Sequence, residues 1–392
     1  MAKKIKILAT FPTFFPAQYW GGPIFSSYFT CIELKNNPLV DLKILTTNSS
    51  GPKISDKLSN KEIQVVKKEL DIDFAAKTFG KSISLSLAIR ILREARHSHV
   101  IWITSIFSFP VLISAFAAKF HNKPVIITPR GSLQVHEKSR KIFLKKFYIK
   151  LLAILLHKQD LLMHFTSEQE SLQSLVVRKS FKSMILRNGV ELPKLSLEDR
   201  LERSKNHYKR SDDKLLNILY LGRIDKKKGI ELLLTVLSKL NRKYFLKIVG
   251  DGEQKYVKKI LDDANRTLGK ANFKYFGALH EKKKDDAFYS SDILILPSYS
   301  ENFGIVIAES LIRGVPVICS NNTPWVEIIS KNAGWCTNND EGELIDLLEK
   351  MDLSDLAKKA ENGLNWMENS FLWSDIANEF SIEVEKFVHK KK

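Results

Sequence analysis

The segment SENFGIVIAESLIRGVPVICS (300–320) carries two carboxylates, Glu301 and Glu309, that are eight positions apart. Glu301 follows the apolar run DILILPS, and Glu309 falls about two turns into the helix predicted after it. Ligands of open α/β sheets bind beyond the carboxyl ends of the strands, which is where Glu301 is predicted to lie. Glu309 could then accept hydrogen bonds from a diol such as ribose. Taken alone, two such glutamates are more often solvated surface charges.

A second pattern, LGRIDKKKGIELLL (221–234), places Arg223 and Lys228 in a loop between a strand and an apolar-periodic helix. The planar fork of an arginine and the mobile charge of a lysine together suit a diphosphate. Lys226 and Lys227 have the simpler interpretation of solvated surface charge.

Glycines accompany these charged residues near the predicted strand ends. Gly250 and Gly252 end the strand-like IVGDGE, and Gly304 precedes the predicted helix. A glycine lets the backbone come close to a ligand, and free N–H groups after it can hold oxygen atoms. The run FKYFGAL (273–279), which ends at Leu279, would supply a wall for a base. An isolated G-x-G is weak support, because such pairs commonly form tight turns.

Strand-like and helix-like pieces alternate along the chain, which predicts parallel sheets covered by helices. A polar, charge-rich segment at 191–213 separates two sets of strands and is predicted to be a linker. The predicted fold class is therefore α/β, with Rossmann-like domains at 1–190 and 214–371. The strands are predicted at 5–10, 42–47, 100–104, 124–129, 161–167, 183–189, 216–222, 244–252, 273–277, 292–298 and 315–320.

The stretch from Val100 to Ala118 has no charged residue, a property that it shares with membrane spans. Its serines and Pro110 favour instead a buried strand followed by a core helix. Three cysteines without metal or redox spacing, together with an N-terminal apolar stretch too short for a signal peptide, indicate a cytoplasmic location. Asp71-Ile-Asp73 has the D-x-D form of a metal site but follows a charged, helix-like stretch, so no metal is predicted.

The formal charge of +18 is concentrated in the first half, where residues 1–192 hold 29 Lys and Arg against 13 Asp and Glu. This excess predicts an anionic partner such as nucleic acid, a phosphate-bearing substrate or an acidic membrane. Residues 140–157, RKIFLKKFYIKLLAILLH, combine lysines with large apolar residues and suit an anionic membrane surface. A partly buried helix with a solvated basic edge is the alternative, and the two interpretations are compatible.

These motifs together resemble the retaining glycosyltransferases of family 4. The resemblance covers the second domain in order and spacing, and it covers the first domain less closely. It implies the GT-B architecture, with two facing Rossmann-like domains, an interdomain cleft and a C-terminal helix at about 372–390 that crosses back onto the first domain. TPRGSL (128–133) and HFTSEQE (164–170) are similar to a subgroup that builds bacterial surface polysaccharides. The motifs are LRNGV (186–190), LGRIDKKKG (221–229), IVGDGE (248–253), YFGAL (275–279) and the E-x7-E of SENFGIVIAE.

For individual residues, the resemblance implies that Arg223 and Lys228 neutralise the diphosphate of a nucleotide-sugar, in place of a metal ion. It implies that Glu309 holds the ribose and that Glu301 holds hydroxyls of the donor sugar. The remaining donor contacts that it implies are Gly22, Gly250, Gly252, Leu279, Phe303, Gly304 and Ile305.

Many members of that family carry a histidine near the end of the strand that corresponds to PVIITP. This chain has Thr128-Pro129-Arg130-Gly131 there, so Arg130 is predicted to lie near the donor sugar or the acceptor. The alternative is that Arg130 only pairs with a carboxylate of the cleft. His136 and His164 are interpreted as ordinary polar or packed histidines.

The activity that the resemblance implies is retaining transfer of a sugar, without metal or other cofactor, from a UDP- or GDP-sugar to a saccharide or lipid-linked saccharide acceptor. The product would be a bacterial surface polysaccharide, and the protein would lie on the inner face of the plasma membrane through 140–157. A basic nucleic-acid-binding protein is the alternative. No reading element for nucleic acid is identifiable, so nucleic acid is not expected as a partner.

Overall fold

The computed structural model describes residues 4–80, 82–134, 142–174, 181–209 and 215–389. The chain divides into two compact units. The first consists of Met1–Gly189 with Trp373–Lys392, and the second is Val190–Leu372. Each unit is built on a parallel sheet, which agrees with the predicted α/β class.

The first sheet contains β1 (Ile5–Thr10), β2 (Val40–Thr47), β3 (Ile72–Ala75), β4 (Val100–Thr104), β5 (Val125–Thr128), β6 (Leu161–Phe165) and β7 (Lys182–Ile185). The second contains β8 (Leu216–Leu221), β9 (Tyr244–Val249), β10 (Phe273–Tyr275), β11 (Ile293–Leu296), β12 (Val317–Ser320) and β13 (Gly334–Thr337). The strand order is β3-β2-β1-β4-β5-β6-β7 in the first sheet and β10-β9-β8-β11-β12-β13 in the second.

Helices connect these strands and cover the sheets. They are α1 (Gly22–Asn36), α2 (Asn60–Glu69), α3 (Leu85–Ala95), α4 (Phe109–Phe120), α5 (Ile142–Leu155), α6 (Glu168–Gln173), α7 (Leu197–Tyr208), α8 (Ile230–Ser238), α9 (Gln254–Thr267), α10 (Glu281–Tyr289), α11 (Ile305–Leu311), α12 (Glu341–Lys350), α13 (Leu353–Ser370) and α14 (Trp373–His389).

Two helix layers cover the first sheet. Helices α3, α4 and α5 pack on one side, where Leu87, Val111 and Leu152 are fully buried with alternate residues of the strands. Helices α1, α2 and α14 form the other core, which includes Cys31 and Phe380. Because both faces of the sheet are covered, its central strands are continuous apolar runs rather than alternating ones.

The uncharged stretch from Val100 to Ala118 forms β4 and most of α4, as the strand-and-helix interpretation predicts. All five residues of β4 are buried in the first sheet. Within the described ranges, no helix combines the length and the apolar character that a membrane crossing needs.

The segment 191–213 differs from the linker that its composition predicts, because α7 lies within it and belongs to the second unit. Two buried residues of α7 are the reason. Nη1 of Arg200 donates to the carbonyl O of Ile312 at 2.7 Å, and its Nη2 donates to the carboxylate of Glu368. Tyr208 lies in the apolar core of the second unit, and its hydroxyl donates to the carbonyl O of Asp292 at 2.8 Å. Residues 210–213 lie outside the described ranges.

Candidate active site

Lys228 and Glu301 come together in the second unit. Lys228 precedes α8 and Glu301 precedes α11, and the strands before these loops, β8 and β11, are parallel neighbours. Nζ of Lys228 donates to Oε1 of Glu301, and the same oxygen accepts from Ser298 Oγ at 2.8 Å. Only 8% of the Glu301 surface is exposed. The two groups predicted to bind a diphosphate and a sugar thus form one ion pair at the carboxyl edge of the sheet.

The loop around Lys228 is held by its own side chains and by a close approach of two backbones. The Asp225 carboxylate accepts from the backbone N of Lys227 at 3.0 Å and caps a short 3₁₀ turn. Gly229 follows with φ of 70°, and a Cβ built there would lie 2.0 Å from the carbonyl O of Pro297. This contact fixes the Lys228 loop against the segment that leads to Glu301. Arg223, in the same loop, is exposed.

Glu309 lies on α11 and is paired with α10. Nζ of Lys284 donates to Oε1 of Glu309 at 2.6 Å. One position further along α10, the Asp285 carboxylate accepts from Nε of Arg313 at 2.8 Å, and Nη1 of Arg313 donates to the carbonyl O of Glu309 at 2.9 Å. Two ion pairs therefore join α10 to α11 and to Arg313 just after it, and Lys284 holds the carboxylate of Glu309.

Glu191 adds a further carboxyl group to this cluster. Burial raises the pKa of Glu191, while Lys284 and Arg313 partly oppose that rise and Glu309 adds to it. Sequence reasoning missed Lys284, Asp285, Arg313 and Glu191. The run EKKKDD (281–286) has the composition of a solvated surface, and only the packing of α10 beside α11 assigns partners to its charges.

The predicted glycines and apolar residues lie around these loops. Gly250 and Gly252 pack on the Arg223 loop, because Cβ atoms built there would lie 1.8 Å from the carbonyl O of Gly222 and 2.2 Å from that of Ile224. The packing of two loops is thus sufficient to explain this G-x-G. Gly304 is the N-cap of α11, and Ile305 is its first residue. Of the predicted apolar residues, Leu279 is half-buried and Phe303 is buried. The carbonyl O of Phe303 accepts a hydrogen bond from Trp325 Nε1.

The first unit holds the other two predicted site residues. Gly22 is exposed and begins α1. Arg130 follows β5 and is buried, with Nη1 donating to Oδ1 of Asn188. Its Nε and Nη2 have no hydrogen-bond partner among the residues that the structure describes. Burial lowers the pKa of Arg130 to about 10, against the opposing effect of the Glu170 carboxylate.

His164 is a packed histidine, as its sequence interpretation predicts. Its Nε2 lies 3.1 Å from the carbonyl O of Leu186, to which it donates, and Nδ1 accepts from Thr128 Oγ1 at 3.0 Å. Thr128 Oγ1 in turn accepts from Trp102 Nε1 at 2.8 Å. Burial, with a smaller effect of Arg130, lowers the pKa of His164 to about 3, so the ring is neutral at pH 7. His136 lies outside the described residues.

Comparison with known structures identifies the fold class. A crystal structure of Anabaena HepE in complex with UDP and glucose aligns with 97% of this chain and 100% of its own, with a TM-score of 0.72 and 15% identity. The structure of WaaG, a glycosyltransferase involved in lipopolysaccharide biosynthesis, aligns with 96% of this chain and 98% of its own, with a TM-score of 0.65 and 14% identity. The predicted GT-B fold, with its parallel-sheet α/β domains, is confirmed.

Sequence comparisons find relatives for part or most of the chain. Residues 202–363 match the family described as glycosyl transferases group 1. The chain is 29% identical over 313 residues to an uncharacterized 41.2 kDa protein in the cps region of Klebsiella pneumoniae. That alignment covers 77% of this chain and 84% of the Klebsiella protein. It is also 29% identical over 157 residues to the O-antigen biosynthesis glycosyltransferase WclY of Escherichia coli. That alignment covers 39% of this chain and 41% of WclY. The family match and the similarity to WclY support glycosyltransferase activity.

Proposed function

We propose that this protein is a retaining, metal-independent glycosyltransferase that moves a sugar from a UDP- or GDP-sugar to a saccharide or lipid-linked saccharide. The product would belong to a bacterial surface polysaccharide, such as an exopolysaccharide, capsule, O-antigen or lipopolysaccharide. The observation that carries the proposal is the Lys228–Glu301 pair at the carboxyl edge of the second sheet. The cps-region relative, WclY and the UDP complex of HepE support the same interpretation.

In the proposed reaction, Lys228 and Arg223 stabilise the charge that develops on the departing diphosphate. The acceptor hydroxyl oxygen bonds to the anomeric carbon from the face that the diphosphate leaves, and the diphosphate departs with the bonding electrons. The hydroxyl proton passes to a diphosphate oxygen, so no protein nucleophile is needed. Lys228 is then shared between Glu301 and the diphosphate, while the paired Glu301 accepts hydrogen bonds from sugar hydroxyls.

The proposal assigns the other donor contacts to the remaining predicted residues. Glu309, held by Lys284, accepts from the ribose hydroxyls, because a carboxylate has capacity for more than one donor. Backbone groups at Phe303, Gly304 and Ile305 contact the sugar. The proposal also gives the first unit two contacts: Gly22 with a phosphate, and Arg130 with the donor sugar or acceptor. Gly250, Gly252 and Leu279 form the wall around the nucleotide.

The proposal includes a membrane surface as partner and a place on the inner face of the plasma membrane. Of the predicted segment 140–157, the structure describes residues 142–157, most of them in α5. Phe143 and Phe147 are 80% and 64% exposed, and no acidic residue occurs between positions 142 and 157. Large exposed apolar residues beside lysines are what an anionic interface binds. Equal binding of the protein to neutral and anionic vesicles, independent of salt, would contradict this part.

The activity itself is tested by a panel of UDP- and GDP-sugars. We expect one donor to raise the thermal midpoint of the protein and to support release of the nucleoside diphosphate when an acceptor is present. The anomeric configuration of the product, read by NMR, is expected to match that of the donor. An inverted product would contradict the retaining mechanism, and no stabilisation by any member of the panel would contradict the donor class.

A further inference from the structure

The outer side of the α3–α4–α5 layer exposes large apolar residues on every helix, and not only on α5. On α3, Leu85 and Ile89 are 63% and 68% exposed. On α4, Phe120 is 71% exposed and stacks on Phe116, with 6.3 Å between ring centroids. These helices already bury one apolar side against the sheet, so each is apolar on two sides. A surface of this kind indicates an interaction site.

The helices on the two sides of the first sheet differ in charge. Helices α3, α4 and α5 carry six lysines and arginines and one acidic residue, Glu94. Helices α1, α2 and α14, on the other side of the sheet, carry five lysines and arginines and seven acidic residues. On the α3–α4–α5 layer a net positive charge therefore coincides with the exposed apolar residues, and the partner of this surface should be both anionic and apolar.

A groove of about 480 Å³ lies between α3 and α4 on this surface. Arg93, Arg96 and His97 line one side, and Phe116 and Phe120 line the other. Nε2 of the neighbouring His121 donates to the carbonyl O of Leu92 at 2.9 Å, which joins the C-terminal end of α4 to α3. Guanidinium groups beside an aromatic wall match a phosphate attached to a hydrocarbon chain.

We propose that the outer side of α3–α4–α5 docks on an anionic phospholipid bilayer and that the α3–α4 groove takes a lipid headgroup phosphate between Arg93 and Arg96. Phe116 and Phe120 enter the boundary between headgroups and acyl chains. A second copy of the chain fits less well, because two surfaces with the same excess of cations repel each other. The inference goes beyond the proposed function, which assigns only residues 140–157 to the membrane, and it can be measured without any transfer reaction.

Flotation of the purified full chain with vesicles tests the inference. Phosphatidylcholine vesicles with and without phosphatidylglycerol serve as the probes. We expect the double variant Arg93→Gln, Arg96→Gln to lower the partition coefficient on phosphatidylglycerol vesicles about thirty-fold, since two cations near an anionic surface are removed. Phe120→Ser should lower it about tenfold through the lost apolar contact. Binding by the unaltered protein should weaken as salt is raised.

Matched controls come from α2, in the opposite layer, where Val65, Lys67 and Lys68 are exposed. The double variant Lys67→Gln, Lys68→Gln and the variant Val65→Ser should bind like the unaltered protein. Unchanged binding of the α3–α4 variants, with loss only in an α5 variant such as Phe147→Ser, would overturn the inference and leave the α5 proposal standing. Equal losses in the α2 controls would also overturn it. The inference would likewise be overturned if the unaltered protein formed a dimer that binds no vesicles and that Phe120→Ser dissociates.

Discussion

Lys228 and Glu301 form a largely buried ion pair, so a change at either residue affects stability as well as any activity. Removing one partner of a buried pair leaves an uncompensated charge, which typically costs about 3–5 kcal/mol. We expect Lys228→Ala to lower the free energy of unfolding by about 3 kcal/mol. The double variant Lys228→Met, Glu301→Gln should recover most of this loss, because neither charge then remains. Urea denaturation of the single and double variants measures both effects.

The same variants separate folding from chemistry. The double variant is expected to fold normally and to transfer no sugar, because the cation and the carboxylate are both needed by the proposed reaction. A stable double variant with normal transfer would mean that the pair is only structural.

His164 predicts a pH dependence of stability. Its pKa is about 3 in the folded chain, against an ordinary value of 6.5, because burial and Arg130 disfavour the charged ring. Between these values the unfolded chain binds a proton at this residue and the folded chain does not. Stability is therefore highest above pH 6.5 and falls below it, by up to about 1.4 kcal/mol per pH unit. We expect His164→Gln to lose this slope and the exposed His280→Gln to keep it, in unfolding measured from pH 7 to pH 5.

At the residue scale, the sequence could place Glu301 and Lys228 in loops at strand ends, because each motif contains its own strand and turn residues. It could not predict that they contact each other, since β8 and β11 are far apart in the chain and their adjacency comes from the sheet order. For the same reason the partners of Glu309 were missed. Lys284 reaches it only through the packing of α10 beside α11.

At the scale of elements, the loop before α8 depends on a close backbone approach at Gly229. Gly229 and Gly277 have nearly equal φ values of 70° and 67°, so alanine is strained equally at both. Only at Gly229 does a Cβ meet another atom, the carbonyl O of Pro297 at 2.0 Å, whereas nothing lies within 4 Å at Gly277. We expect Gly277→Ala to cost about 1–2 kcal/mol and Gly229→Ala to cost clearly more. Equal losses in urea denaturation would contradict the contact.

Most strands were predictable from the sequence, because a strand buried on both faces is a continuous apolar run such as VIWIT. The two strands that were missed, β3 and β13, are short and lie at sheet edges. Their sequences, IDFA and GWCT, contain polar or small residues, and only half of each is buried. An edge strand needs less apolar surface, so its sequence resembles a loop.

At the scale of the whole molecule, the charge of +18 has a definite location. The second half of the chain is close to neutral. Among the helices of the first unit, α3, α4 and α5 together carry a net charge of +5, whereas α1, α2 and α14 together carry −2. The cations of the proposed donor site, Arg223 and Lys228, therefore account for little of it. The composition could predict an anionic partner, but only the arrangement of helices around the first sheet shows which surface carries the charge.

The central claim is that the second unit binds a nucleotide-sugar through Lys228 and Glu309. Its most direct test is transfer from the donor that the panel identifies, measured for Lys228→Ala and Glu309→Ala. Lys226→Ala, in the same loop, and Glu361→Ala, on the exposed side of α13, are the matched controls. We expect transfer to fall at least about a hundredfold in the two site variants and to stay normal in the controls, with all four proteins folded by circular dichroism. Near-normal transfer by both site variants would contradict the account.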